Sequence, residues 1–152
     1  MVNQSTETAA RERLQALIGQ WRTVAGPPEG PLWPGEGRVG FSWFGEGAPL
    51  LVQRWHVDLP EAPDGVAVIG CDGKSDGYYQ LYTDERDVQR IYAMSLDGGV
   101  WKLWRDGEPF AQRFTGTFSP DGDTIEGRWE AAEDGVTWRT DFDVTYTRVA
   151  GP

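Results

Sequence analysis

The sequence predicts an all-β protein, an antiparallel up-and-down β-barrel of about ten strands that follows one N-terminal helix. Short segments along most of the chain alternate apolar and polar residues, as strands with one buried face do. Asp-Gly or Gly-rich turns end most of these segments, and such turns suit tight hairpins. The length of 152 residues fits one domain with a single core. We therefore expect residues 1–152 to form one barrel domain.

The first element is predicted to be a helix over about residues 6–19. Ser5 or Thr6 can cap its start, and the apolar residues recur near the 3.6-residue period of an amphipathic helix. One apolar stripe of the helix therefore faces a core, and it consists of Ala10, Leu14, Leu17, Ile18 and Trp21.

A long loop is predicted after the first strand. Residues 26–37 contain so many prolines and glycines that regular structure is excluded, and Trp33 is the one large aromatic side chain among them. We expect this loop to fold over an opening of the barrel. It is predicted to act as a mobile lid in which Trp33 responds to a bound ligand.

The rest of the chain supplies the predicted strands. They cover residues 21–25, 38–44, 50–57, 66–71, 78–83, 88–95, 100–105, 110–118, 124–131 and 136–149. Asp-Gly pairs connect several of them, for example at residues 64–65, 72–73 and 121–122. Consecutive hairpins form a meander, and a closed barrel of this size can hold one small ligand.

Alternation fixes the inward face of the late strands and leaves that of the middle strands open. The last strand is predicted to point Val136, Trp138, Phe142, Val144 and Tyr146 inward and the carboxylates Asp141 and Asp143 into solvent. Phe114 and Trp129 point inward by the same reasoning. In the middle strands both faces carry apolar groups, so the inward residue is Tyr82 or Leu81, Tyr92 or Ile91, and Trp101 or Trp104.

Composition excludes several classes of partner. The net charge is −10, and this repels nucleic-acid phosphates and anionic membranes, so we expect neither as a partner. Cys71 is the single cysteine, which excludes an intramolecular disulfide and a thiolate metal cluster within one chain. The N-terminal residues lack the features of a signal peptide. We expect a cytoplasmic monomer or homodimer without a bound metal.

The two ends of the chain resemble the lipocalin arrangement. A helix leads into Gly19-x-Trp21 at the first strand, and Arg148 near the end of the last strand shares the parity of Val144 and Tyr146. In lipocalins the tryptophan closes the barrel floor and the arginine packs across it. The resemblance covers the whole chain and implies that Trp21 and Arg148 pack together here.

Shorter motifs resemble a group of small lipocalin-like bacterial proteins of the calycin superfamily, a group without an assigned activity. The motifs are Gly70-x-Asp72, Tyr82-x-Asp84, Arg90-x-Tyr92, Gln112-Arg113-Phe114 and Gly127-Arg128-Trp129-Glu130. Nitrobindin-type haem barrels are also similar in length and opening. In those barrels, however, the opening motif continues with spaced glycines, whereas here Arg22-Thr23-Val24 follows Trp21. Their proximal histidine lies late in the chain, whereas the only histidine here is His56. We expect no cofactor, and haem bound through His56 is the third alternative for the function.

The most informative polar set lies on the middle strands. If their even positions point inward, Gln80, Tyr82, Arg90, Tyr92 and Gln112 place hydrogen-bonding groups inside an aromatic barrel. An arginine inside needs a counter-ion or an anionic ligand, because leaving it unpaired costs several kcal/mol. The alternative is that Arg90 stacks on tyrosines or pairs with Asp84 or Glu85 at a barrel end.

Two other motifs are not expected to form a site. His56 shares a face with Arg54, which favours a position in solvent or on a rim over one in the cavity or on a metal. Residues 35–40 satisfy the Gly-x-Gly-x-x-Gly spacing of dinucleotide-binding loops. A proline-rich loop precedes them and a strand is predicted to follow, so no helix N-terminus would face a pyrophosphate.

The sequence therefore predicts that the barrel binds a small, mostly hydrophobic or aromatic metabolite. The predicted lining residues are Trp43, Trp55, Tyr82, Arg90, Tyr92, Trp101, Gln112, Phe114, Trp129 and Trp138. The alternative is a cofactor-independent cyclase, isomerase or hydrolase, in which preorganised donors stabilise developing negative charge. Its candidate catalytic residues are Arg90, Tyr92, Tyr82 and His56.

Overall fold

A computed structural model describes residues 4–46, 48–71, 77–107 and 109–149. It contains one helix, α1 (Gln4–Leu14), and a series of strands. The strands are β1 (Gly19–Gly26), β2 (Gly37–Gly45), β3 (Ala48–Val57), β4 (Gly65–Cys71), β5 (Tyr78–Asp84), β6 (Gln89–Asp97), β7 (Val100–Arg105), β8 (Ala111–Phe118), β9 (Thr124–Ala132) and β10 (Arg139–Arg148). The Asp72-Gly73 turn of the sequence prediction lies outside the described residues, as does Asp72 of the Gly70-x-Asp72 motif.

The strands form a closed barrel in which each pairs antiparallel with the next in sequence, and β1 pairs with β10. The predicted fold class is confirmed. We call the end of the barrel where β1 begins the floor, and the end where β1, β3, β5, β7 and β9 finish the open end. Closure pairs every strand edge. The places left for a ligand are therefore the interior of the barrel and its two ends.

The predicted packing of Trp21 against Arg148 at the floor is confirmed. The two residues are cross-strand partners, and the Arg148 guanidinium lies 4.1 Å from the centroid of the buried Trp21 ring. Arg148 also donates to the carbonyl oxygens of Ile18 at 2.7 Å and Ala16 at 2.8 Å, and Trp21 Nε1 donates to that of Leu17 at 2.9 Å. These bonds tie the segment after the helix to the barrel floor.

The helix is shorter at its C-terminal end than the sequence predicts. It ends at Leu14, and the following residues form a tighter turn in which Leu17 N donates to Leu14 O at 3.0 Å. The chain must leave the helix early because β1 already begins at Gly19. The predicted apolar stripe is retained, since Leu14 and Leu17 are completely buried, and the Tyr78 hydroxyl donates to Ala10 O at 2.6 Å.

The structure settles the inward face of the middle strands. Tyr82, Arg90, Tyr92 and Trp101 point into the barrel, whereas the outward Leu81, Ile91 and Trp104 remain 45%, 68% and 40% exposed. Leu81 pairs laterally with Ile91, and Val68 lies on the other side of Leu81. The outward apolar residues therefore form a row on the surface, and this row is what made both faces look apolar in sequence.

The start of the last strand differs from the prediction. The Asp134 carboxylate accepts hydrogen bonds from the backbone N–H groups of Val136 at 2.9 Å and Thr137 at 2.7 Å, which lengthens the turn, and these bonds lower the pKa of Asp134 to about 2. Strand β10 begins only at Arg139, so Val136 is exposed. A bulge between Thr140 and Phe142 then shifts the register, and the predicted inward alternation holds only from Phe142 onward.

Candidate functional site

Six aromatic side chains surround the open end of the barrel, and we call them the aromatic cup. They are Trp33, Trp55, Tyr82, Tyr92, Trp129 and Phe142. Tyr92 is almost fully buried and forms the base of the cup, while the other members are partly exposed. The cup therefore presents ring faces and edges at the one end of the barrel that the helix does not cover.

The rings of the cup are linked by a chain of contacts that passes through Tyr92 at its base. Trp55 stacks on Tyr82 with centroids 5.2 Å apart, and Tyr82 meets Tyr92 edge-on at 6.2 Å. Tyr92 contacts Trp129 at 5.8 Å, and Trp129 stacks on Phe142 at 6.5 Å. Edge-to-face and offset contacts of this kind hold rings in defined orientations. The rings of the cup therefore form one ordered aromatic surface.

Local sequence explains how Trp55 reaches its position. Gly65 begins the neighbouring strand opposite Trp55, and an added Cβ there would clash with the Trp55 ring. The indole N–H of Trp55 donates to Pro63 O at 3.2 Å. A glycine without a side chain and a carbonyl from the preceding loop thus place the ring across the strand.

The 26–37 loop contributes the last wall of the cup. Trp33 N donates to Ala25 O at 2.8 Å, which folds the loop back onto the barrel. The Trp33 ring then lies 5.4 Å from Phe142, and the side chain remains 45% exposed. The loop covers part of the open end as the sequence predicts, and its mobility and response to a ligand stay predictions.

Arg90 lies at the cup, where it is hydrogen-bonded to a neutral side chain. Its Nη1 donates to Gln112 Oε1 at 3.2 Å, the Tyr92 hydroxyl donates to the same oxygen at 2.8 Å, and the guanidinium lies 5.3 Å from the Phe110 ring centroid. Within the described part of the chain, no carboxylate pairs with Arg90. Because an arginine can only donate, the Gln112 oxygen must face it, which turns the Gln112 amide N–H groups away as further donors.

Asp84, the acidic residue near Arg90, is neutralised by an ion pair with Arg86. The buried Asp84 carboxylate accepts from the Tyr82 hydroxyl at 2.6 Å and from Arg86 Nη2 at 2.7 Å. The bonds from Arg86 hold the pKa of Asp84 far below its usual range. Burial, followed by the bond to Asp84, raises the pKa of Tyr82 well above its usual range. Tyr82 therefore stays protonated, and the alternative in which Arg90 pairs with Asp84 is wrong.

His56 lies on the outer rim and not in the cup. Its side chain is 65% exposed, and Nδ1 bonds to Asp64 Oδ2 at 2.8 Å. The other Asp64 oxygen accepts from Val57 N at 3.2 Å, and Glu85 Oε1 accepts from Asp64 N at 2.8 Å. The site thus links the loops after β3 and β5 on the outside of the barrel. A haem held inside the barrel would not reach this histidine.

We expect the pKa of His56 to lie above its usual 6.5, because the hydrogen bond and the charge of Asp64 favour the protonated ring. The ion pair should be fully present below pH 6.5 and should be lost as the pH rises through the raised pKa. An NMR titration of the single histidine ring measures this directly, and Asp64→Asn should return the pKa toward 6.5. An unchanged pKa in that variant would show that Asp64 does not control it.

The other predicted lining residues lie elsewhere. Trp101 points inward but is fully buried near the floor, and Phe114 is fully buried beside Trp129, its cross-strand partner. Trp43 pairs with Leu51 near the floor end of β2 and is also outside the cup. The prediction for Trp138 is wrong: because of the longer turn and the bulge, its ring lies on the outer surface, 4.0 Å from the Arg113 guanidinium, which pairs with Glu130.

The predicted residues that the structure brings together at the open end are Trp55, Tyr82, Arg90, Tyr92, Gln112 and Trp129. Phe142 and Phe110 belong there too but were missing from the lining set. The parity of Phe142 with Val144 and that of Phe110 with Phe114 in the predicted strands could have included both, although Phe110 precedes β8 in the structure. The Asp84–Arg86 pair was also missed, since the sequence shows only that the two residues are near each other after a strand.

Residues 35–40 run from the 26–37 loop into β2, so the Gly-x-Gly-x-x-Gly spacing is not followed by a helix. Among the described residues, no three histidine, cysteine, aspartate or glutamate side chains converge as a metal site would require. The described part of the chain likewise contains no helix with the length and apolar character needed to cross a membrane.

Comparison with known proteins shows the fold. No protein-family model matches the chain, and no curated protein matches it in sequence. Rv2717c from M. tuberculosis is similar in structure, with 15% identity, a TM-score of 0.65, and coverage of 93% of this chain and 98% of that chain. S-type phycobiliprotein lyase CPES from Guillardia theta has 14% identity, a TM-score of 0.63, and coverage of 96% and 98%. The protein thus has a lipocalin-like barrel fold.

Proposed function

We propose that the barrel binds a small, flat, mostly apolar molecule that carries an acidic group, with its rings in the aromatic cup and its acid on Arg90. The observation that carries this proposal is the position of Arg90 at the cup, where the one side-chain hydrogen-bond acceptor among the described residues is the neutral Gln112. A phycobiliprotein lyase shares the fold, which supports a binding role without identifying the ligand.

The charge distribution at the open end favours an anion there. Arg86 neutralises Asp84, so the Arg90 guanidinium is not compensated by that carboxylate. Arg105 also lies close enough to Tyr92 to affect its pKa, as Arg90 does. A ligand carboxylate would replace the neutral contact with charge-assisted hydrogen bonds, which are roughly twice as strong. The site therefore offers a local positive charge in a protein whose net charge is −10.

The aromatic cup supplies the apolar part of the recognition. Stacked and edge-on contacts contribute about 0.5–1.5 kcal/mol each beyond the area that they bury. Trp33 can cover a molecule that lies on Phe142 and Trp129, because the loop already folds over this side. The combination of ring faces with one cation selects an aromatic acid over both a neutral hydrocarbon and a small polar anion.

The enzyme alternative has weaker support. Arg90 and the Gln112 amide could stabilise developing negative charge. A general base is harder to find, because Tyr82 stays protonated and Asp84 is held as an ion pair with Arg86. The groups at the cup are thus suited to holding an anion more than to removing a proton.

Native mass spectrometry with two competing compounds tests the proposal. The protein is mixed with equal amounts of 4-benzylbenzoate and its methyl ester, which have the same two rings but differ in charge and in mass. We expect the complex with the acid to predominate strongly. Equal occupancy, preference for the ester, or no complex with the acid would each contradict the proposed function.

A further inference from the structure

The outward side chains of β4, β5 and β6 form an apolar surface that we call the lateral face. It consists of Val66, Val68, Tyr79, Leu81, Ile91 and Ala93. Asp97, at the end of β6, is the one charged residue among the described outward positions of these three strands. The outer surfaces of β8, β9 and β10 instead carry ion pairs, such as Arg113 with Glu130 and Arg128 with Asp143. The lateral face is therefore an uncharged area on a protein in which 25% of the residues are charged.

The side chains of the lateral face lie along the sheet or pack side by side. An added Cβ on Gly70 would clash with the ring of its cross-strand partner Tyr79, so this ring lies across Gly70. Leu81 pairs laterally with Ile91 and, on its other side, with Val68. Small-molecule sites are concave, whereas continuous exposed apolar patches mark contacts with other proteins. The lateral face thus has the character of a protein-contact surface.

The charges around the lateral face have one sign on its two sides and the other sign at its two ends. Arg54 on β3 pairs with Val66 at one side, and Lys102 lies on β7 at the other side. Glu85 follows β5 at one end, and Asp97 closes β6 at the opposite end. All four charged side chains are exposed. A two-fold contact in which the strands of two copies cross obliquely places the basic sides of each copy against the acidic ends of the other. The rim is therefore complementary to itself.

The size of the lateral face indicates a weak contact. Neighbouring strands lie about 4.8 Å apart and successive residues about 3.3 Å apart, so the outer surface from β3 to β7 covers on the order of 500 Å². A standard protein interface buries roughly 800 Å² on each partner, and smaller ones are typical of transient association. A complex formed through this surface should therefore be reversible.

We propose that the lateral face is the contact surface of a symmetric homodimer, with a second copy of this chain as its occupant. Two molecules that each carry a net charge of −10 repel one another. Contact through an uncharged centre with a self-complementary rim reduces this repulsion where the two surfaces meet. The lateral face lies on the outside of the strands and not at the open end of the barrel. Both aromatic cups therefore stay accessible in the dimer, and the proposal is independent of the proposed function.

Sedimentation velocity of the unchanged protein, from about 5 to 500 μM, tests the proposal. We expect a reversible monomer–dimer equilibrium. Ile91→Lys should raise the dissociation constant at least tenfold, because it places two charges in the apolar centre. Ile91 is 68% exposed, so the monomer should keep its fold, which circular dichroism checks. Val24→Lys is the matched control, since Val24 is an exposed outward residue of β1 on the opposite side of the barrel. It adds the same charge and should leave the dissociation constant unchanged.

A charge exchange across the rim gives a second readout. Arg54→Glu should weaken the dimer, and adding Glu85→Arg to that variant should restore it, because the two side chains face each other across the oblique contact. A protein that is monomeric at every concentration would overturn the proposal and assign the lateral face to a different partner. A dimer that persists in Ile91→Lys, equal weakening by Val24→Lys, or a charge exchange without recovery would also overturn it.

Discussion

Replacing Trp21 with alanine is expected to lower the free energy of unfolding by about 3–5 kcal/mol, the range for large buried side chains. The ring is completely buried, meets Phe118 and Tyr146 edge-on at 6.4 Å each, and covers the Arg148 guanidinium. The substitution also removes the donor to Leu17 O. The floor would lose its central side chain, and Arg148 would lose the surface on which it stacks.

Urea unfolding followed by circular dichroism measures this loss. Trp104→Ala is the matched control, because Trp104 lies on the outer face and is 40% exposed. That variant should lose about 1 kcal/mol or less, given that surface substitutions seldom exceed this. Similar losses for the two variants would show that Trp21 does not close the floor.

The barrel could be predicted because its signals are local. Each hairpin carries its own turn residues, and the alternation in β8 and β9 marks one buried face without reference to distant parts of the chain. The floor was also predictable, through the resemblance of Gly19-x-Trp21 and Arg148 to the lipocalin arrangement. In the structure Gly19 has a positive φ of 123°, and an added Cβ would lie 3.1 Å from Arg148 Nη1. A glycine, a tryptophan and a distant arginine together specify that end.

The inward face of the middle strands could not be predicted because the outer surface there is apolar as well. Leu81 and Ile91 form a lateral pair that alternation alone cannot distinguish from the core. The choice is resolved by packing between strands that are not adjacent: Tyr92 contacts Trp129 inside the barrel, whereas Ile91 stays 68% exposed. The same long-range packing brings Gln112 to Arg90 from a strand that is not adjacent to it.

Trp138 shows the opposite case, in which a regular pattern misled. Its parity with Phe142 placed it inside, but parity applies only within an uninterrupted strand. The Asp134 turn and the bulge after Thr140 each interrupt the alternation between inward and outward residues. The outer position is then stabilised by the Arg113 guanidinium over the ring, an interaction that sequence spacing does not show.

Replacing Arg90 with methionine is expected to weaken binding of 4-benzylbenzoate by about 1.5–3 kcal/mol, the range for hydrogen bonds to charged groups, or roughly 10- to 150-fold. Methionine keeps a similar length and removes the charge. The methyl ester should lose little affinity, because its contacts are with the aromatic cup. The Tyr92 hydroxyl would still donate to Gln112, so the base of the cup should remain in place.

Arg113→Met supplies the matched control for this substitution. Arg113 lies on the outer face of the barrel, where it pairs with Glu130 at 2.9 Å and stacks on Trp138. The Arg113→Met substitution removes the same charge as Arg90→Met, so any general electrostatic effect on acid binding appears in both variants. We expect the affinity of Arg113→Met for 4-benzylbenzoate to stay close to that of the unchanged protein.

The most direct test of the account is the ratio of the affinities for 4-benzylbenzoate and its methyl ester, measured by calorimetric titration of the unchanged protein, Arg90→Met and Arg113→Met. If Arg90 holds the acidic group in the aromatic cup, the ratio should favour the acid in the unchanged protein and in Arg113→Met, and should fall at least tenfold in Arg90→Met. A ratio that is the same in all three proteins would contradict a binding site for an aromatic acid at this end of the barrel.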